Sequence, residues 1–130
     1  MRRFFALSLA CSLMAGGALA AVTGPLSSLE PGLWSVSRRA NGSHAVTLCV
    51  RDFVELSQWE HRGRSCSRTI VSQTARETLV SYTCPGSEFG HAKLTALTPR
   101  SLKIETQGIH AGEPFNYALF ARKSGTCAPH

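Results

Sequence analysis

Residues 66–84, CSRTIVSQTARETLVSYTC, hold two β-rich runs at 68–73 and 77–83, separated by the polar break Thr74-Ala75-Arg76 and bracketed by Cys66 and Cys84. β-branched and aromatic side chains suit a pleated surface, so the stretch predicts an antiparallel hairpin with one half-buried face. Its two cysteines then stand at the same edge of the sheet. Everything else in the chain extends this hairpin in one direction or the other.

Downstream, Cys84-Pro85-Gly86-Ser87 reads as a turn, and the runs 89–97 and 102–107 as strands joined around Pro99. Ala92, Leu94 and Ala96 alternate with His91, Lys93 and Thr95, while Leu102 and Ile104 alternate with Lys103 and Glu105. Lys93 and Glu105 are therefore expected to pair across the wet face. A last strand at 115–122 turns Phe115, Tyr117 and Leu119 inward and Asn116 outward. Phe120 breaks that alternation, so its ring is either covered by another element or lines a pocket.

Upstream, 51–63 loses the alternation. Asp52 followed by Glu55, an apolar stripe of Phe53, Leu56 and Trp59, and Gly63 as a stop predict a helix of about two turns. A helix that short is stable only when docked, here as a plug over one end of the sheet. His61 and Arg62 fall in its last turn, where the helix dipole favours cations.

The runs 31–37 and 44–50 read as strands around Ala40-Asn41-Gly42-Ser43. A two-residue Asn41-Gly42 turn would set Val36 opposite Thr47 and split the apolar residues between faces. A three-residue loop, Ala40-Asn41-Gly42, sets Val36 opposite Val46 and Trp34 opposite Leu48. Matched faces decide register, so the longer loop is expected, with Gly42 in the left-handed conformation.

The summed expectation is a mainly β protein. It is an antiparallel meander of about seven strands, a strongly curved sheet or partly closed barrel, with one short helix covering one end.

Residues 1–20 start with Arg2 and Arg3, run apolar from Phe4, and end Ala18-Leu19-Ala20, which describes a secretory signal peptide. Residues 21–30 read as a flexible leader and 31–127 as a single disulfide-stabilised domain. Cleavage removes two of the 14 basic residues, leaving 12 against 8 acidic ones, a charge of +4. No compact basic run occurs, so no nucleic-acid partner is expected, and no membrane span remains after cleavage. Arg38, Arg39, Arg62, Arg64 and Arg68 are the candidate basic surface.

After cleavage four cysteines remain, Cys49, Cys66, Cys84 and Cys127. An even count in a short exported chain reads as two disulfides, in the periplasm or cell envelope of a bacterium. The histidines (His44, His61, His91, His110, His130) make no metal-binding spacing with them or with one another, so neither metal nor cofactor is expected.

The combination of an exported leader, PGLW at 31–34, four cysteines in this order and Gly125-Thr126-Cys127 at the end resembles the bacterial domain-of-unknown-function 3617 family. The resemblance implies a small cell-envelope protein; it supplies no activity and no catalytic residues. Three pairings of the cysteines are open. Cys49–Cys66 with Cys84–Cys127 is preferred, and the nested pairing, Cys66–Cys84 with Cys49–Cys127, stands close behind it.

No G-x-S-x-G motif, no converging carboxylate pair and no phosphate-cradling loop is present; Gly86, Gly90, Gly108 and Gly112 read as scattered turn residues. His44 and His91 read as surface residues. The expectation is a non-enzymatic module that binds a small amphipathic ligand, with Phe53, Trp59, Tyr82, Phe89, Tyr117 and Phe120 as candidate lining residues. The alternative is a protein-interaction or inhibitor module acting on an envelope protein through the basic surface. An enzyme is the least expected.

Overall fold

The computed structural model describes residues 24–129; residues 1–20, read above as a signal peptide, residues 21–23 and His130 lie outside them. Seven strands follow in chain order: β1 (Gly32–Ser37), β2 (Val46–Val50), β3 (Ser67–Gln73), β4 (Glu77–Cys84), β5 (Glu88–Thr98), β6 (Ser101–His110) and β7 (Glu113–Gly125). All neighbours are antiparallel and form one curved, open sheet in the order β2-β1-β7-β6-β5-β4-β3.

The run from β3 to β7 is the expected up-and-down meander. β1 closes on β7, however, and leaves β2 and β3 as the two edges. The connection from β2 to β3 is thus no hairpin. It carries the helix Phe53–His61 from one edge of the sheet to the other.

The first hairpin has the register that matched faces require, Trp34 opposite Leu48 and Val36 opposite Val46. The Gly42 N–H donates to the Arg39 carbonyl, and Gly42 takes a φ of +80°, as a three-residue loop demands. The β1–β2 ladder itself stops at Val36 and Val46. Between them the Ser37 hydroxyl donates to the Ser43 carbonyl and accepts from the Arg39 N–H, so side chains replace the missing rungs.

Three expectations are corrected. The leader is not loose from residue 24 onward: Pro25–Ser28 forms a 3-10 turn, and Leu29 is buried in the core with Leu26 packed against it. The central hairpin is half-buried only along β4, where Thr78, Val80, Tyr82 and Cys84 point inward. β3 is exposed along its whole length, because an edge strand with nothing over it buries neither face. The helix is also 3-10 throughout and kinks at Gln58. Asp52 caps it as expected by accepting from the Val54 N–H at 3.0 Å, but the Ser57 hydroxyl takes the Val54 carbonyl at 2.6 Å and competes with regular winding.

The core lies between the inner sheet face and this bridging segment. Trp34, Val36, Val80, Leu94, Leu102, Ile104 and Leu119 meet Phe53, Leu56 and Trp59 there. The Trp34 ring is wholly buried and meets the Phe53 ring edge-on at 4.9 Å, while its indole N–H donates to the Glu30 carbonyl at 2.9 Å. On the opposite face Lys93 and Glu105 pair at 3.1 Å, as their register predicts.

The disulfides are Cys66–Cys84 and Cys49–Cys127, which overturns the preferred pairing in favour of the nested one. Topology is the reason. Ser67 pairs with Thr83, so Cys66 and Cys84 face each other one step beyond that rung. Leu33 pairs with Cys49 on one side and Gly125 on the other, so the tail after β7 needs only to cross the end of β1 to reach Cys49. Cys49 and Cys66 lie near opposite sheet edges, with the helix between them.

Candidate functional site

An antiparallel meander brings alternate strand ends to the same side. Here it gathers Tyr82 of β4, Glu88 at the start of β5, His110 at the end of β6 and Phe115 near the start of β7. Into that corner the helix delivers His61, whose side chain is fully buried.

The floor beneath is a row of register partners, Tyr82, Gly90, Gly108 and Phe115. The two central glycines make room for the rings on either side. A Cβ on Gly90 would fall 2.6 Å from Tyr82 Cε1; one on Gly108 would run into the Phe89 carbonyl oxygen of the neighbouring strand as well as fall 2.9 Å from Phe115 Cζ. His61 packs edge-on against both rings, at 5.5 Å from Tyr82 and 5.9 Å from Phe115, and stacks on His110 at 4.9 Å with planes 18° apart. Gly90 and Gly108 are therefore mid-sheet residues, not turn residues as their spacing suggested. A clash with a packed ring forces displacement rather than mere strain. Gly90→Ala is expected to cost about 2 kcal/mol and to separate Tyr82 from His61. Urea unfolding reads the first effect, and the His61 imidazole resonances in an NMR spectrum read the second.

Nδ1 of His61 lies 2.9 Å from the Tyr82 hydroxyl. Nε2 lies 2.6 Å from Oε2 of Glu88 yet makes no hydrogen bond, because the oxygen sits off the line of the ring nitrogen. The same Oε2 accepts from Arg64 Nη1 at 2.6 Å, and Arg64 Nη2 donates to the Pro85 carbonyl. Burial resists ionisation of Glu88, but Arg64, His61, His110 and a hydrogen bond from the Ala111 backbone outweigh it and hold its carboxyl below the ordinary range. Burial, followed by the charges of Glu60 and Glu88, pushes the Tyr82 hydroxyl up to about 12. Tyr82 therefore stays protonated at neutral pH and serves as a hydrogen-bonding group, not a base.

Glu60, next to His61, continues the network. Its Oε2 accepts from the Tyr117 hydroxyl at 2.6 Å, and its Oε1 lies 3.4 Å from Nδ1 of His110. Arg38 reaches the same carboxylate and lies over the Tyr117 ring, 3.7 Å from its centre.

Beside this corner a cleft of about 310 Å³ opens between the helix and the two sheet edges. Leu48, Val50, Leu56 and Trp59 supply apolar wall, Asp52 and Glu55 stand in it, and Arg62, Arg64 and Arg68 supply positive charge. The Arg62 guanidinium stacks over the Trp59 ring at 3.9 Å, and Arg68 donates to the Gln58 amide oxygen. A wider trough of about 500 Å³ lies on the outer sheet face, where Val71 and Leu79 stand beside His91, Lys93, Glu105 and Gln107.

The six aromatic candidates do not converge on one pocket. Trp59 lines the cleft; Phe53 is core; Tyr82 and Tyr117 are tied to the His61–Glu60 network. Phe89 is exposed, and Phe120 lies by strand alternation on the face away from the helix. The basic candidates divide in two. Arg62, Arg64 and Arg68 surround the cleft, whereas Arg38 and Arg39 flank the β1–β2 loop with Ser43 and His44.

Sequence reading missed the cluster of His61, Glu88 and His110, since no local spacing relates them. The one signal was two glycines inside otherwise regular strand patterns, which mark a close approach. Comparison with family models, with curated proteins and with solved structures finds no match to this chain.

Proposed function

We propose that this chain is an exported, non-catalytic binding module of the bacterial cell envelope, and that it holds a small amphipathic anion in the cleft between helix and sheet edges. The observation that supports this reading is the cleft's composition. Leu48, Val50, Leu56 and Trp59 offer an apolar wall for a tail, and Arg62 and Arg68 stand where a negatively charged head would be met. The outer trough is a poorer receptacle, because its Lys93 and Glu105 already neutralise each other.

Export accords with the two disulfides, which persist in oxidising compartments, and with the resemblance to the domain-of-unknown-function 3617 family. With all four cysteines cross-linked, none is a free nucleophile.

Native mass spectrometry of the protein purified from a bacterial envelope tests the reading. The expected spectrum shows the oxidised chain carrying one small molecule, and the Arg62→Glu/Arg68→Glu variant shows the oxidised chain alone. A bare wild-type mass, or an adduct that survives both charge reversals, contradicts the proposal. Stoichiometric co-purification of an envelope protein in place of a small molecule would instead support the interaction-module reading.

A further inference from the structure

We propose that His61, Glu88 and His110 form a three-ligand site for a divalent transition-metal ion of the zinc class. One donor atom from each lies within 4.8 Å of the other two, although no spacing in the chain announces such a site. Two imidazoles and one carboxylate are a donor set that zinc accepts, and three protein ligands leave a tetrahedral ion one open position.

Two further observations point to a ligand rather than to a closed ion pair. First, Nε2 of His61 is buried, lacks a hydrogen bond and faces Glu88 off its own axis. A hydrogen-bonded pair would place the oxygen on that axis. A shared ion would take the axis itself and leave the second ligand to one side. Second, Nδ1 of His110 is also buried without a hydrogen bond, and its ring lies stacked on that of His61. Both nitrogens stand beside a carboxylate, Glu88 at 2.6 Å and Glu60 at 3.4 Å, outside hydrogen-bond geometry, which is costly at a buried atom unless something else engages it.

The surroundings favour the same use. Tyr82 holds Nδ1 of His61, which leaves Nε2 to act as donor, and an outer partner of this kind orients metal-bound histidines. Gly90 admits the Tyr82 ring to that position. Ligand atoms around a zinc ion stand about 3.3 Å apart, so the 2.6 Å contact between His61 and Glu88 must open by some tenths of an ångström. Glu88 can yield, because its side chain begins a strand and is partly exposed. Arg64 opposes the site, since it places a positive charge on the same carboxylate oxygen.

Cobalt(II) titration of the oxidised protein, followed by visible absorption, tests the proposal. Tetrahedral-type d–d bands should saturate at one equivalent and be bleached by zinc. The bands should be lost in His110→Ala, with circular dichroism confirming that this half-exposed position leaves the fold intact. Tyr82→Phe should weaken binding about 10- to 100-fold. Arg64→Gln should tighten it roughly tenfold, which no purely structural ion pair would produce. His44→Ala and His91→Ala should change nothing. No saturating band in the wild type, a band that survives His110→Ala, or weaker binding in Arg64→Gln overturns the proposal.

Discussion

Removing the Cys49–Cys127 cross-link in the Cys49→Ser/Cys127→Ser variant is expected to lower stability by about 4.5 kcal/mol, the larger of the two disulfide effects. The two cysteines stand 78 positions apart, against 18 for Cys66–Cys84, and the chain entropy lost by the unfolded state grows with the logarithm of the loop. The shorter bridge accordingly contributes about 3.2 kcal/mol. Native-state topology adds to the difference. β2 is an edge strand whose sole neighbour is β1, and the long bridge fastens it to the tail beyond β7, across β1. For a domain of this size the loss corresponds to a fall in Tm of about 20 °C or more. Thermal unfolding of the two double-serine variants reads the order. A larger loss for the Cys66–Cys84 variant, or none for either, contradicts the account.

Trp34→Ala is expected to cost about 4 kcal/mol, close to the stability of many small domains. The ring is completely buried, packs against Phe53 and thereby ties the sheet to the bridging helix. Truncation opens a cavity and also strips the Glu30 carbonyl of its donor. Trp34→Phe separates the two causes, since it keeps most of the ring volume and loses only the N–H. It should cost about 1–2 kcal/mol. Urea unfolding of both variants measures the pair. An alanine variant within 1 kcal/mol of wild type would mean that Trp34 does not anchor the helix.

Local order was legible from residues close in the chain. Alternation, and in the central hairpin β-branched and aromatic content, located every strand, and matched faces selected the β1–β2 register down to Trp34 opposite Leu48. Asp52 was identifiable as a cap because a cap acts within one turn. The pairing of β1 with β7 was not legible, for it joins residues such as Leu33 and Gly125 that share no local pattern. That one contact decides which cysteines meet, so the disulfide preference failed with it. The exposure of β3 follows for the same reason, because an edge is defined by what is absent beside it.

The histidine cluster was hidden in a similar way. His61 in a terminal helical turn invites a dipole explanation, and His110 beside a turn invites none. Only the assembled sheet sets them ring on ring above Gly90 and Gly108. The cleft was half legible. Arg62, Arg64 and Arg68 were identifiable as a basic group and Trp59 as a lining residue, but nothing in the chain distinguished them from Arg38 or from Phe120. Side chains that are neighbours only through tertiary structure carry no periodic signature.

The cleft and the buried cluster both depend on how the ends of the sheet are fastened. Proteolysis of the unreduced protein with thiols blocked, followed by peptide mass mapping, tests that directly. The digest is expected to yield linked peptides containing Cys49 with Cys127 and Cys66 with Cys84, and no blocked thiol among the four. A Cys49–Cys66 peptide, or alkylated cysteines in the natively purified protein, would contradict it.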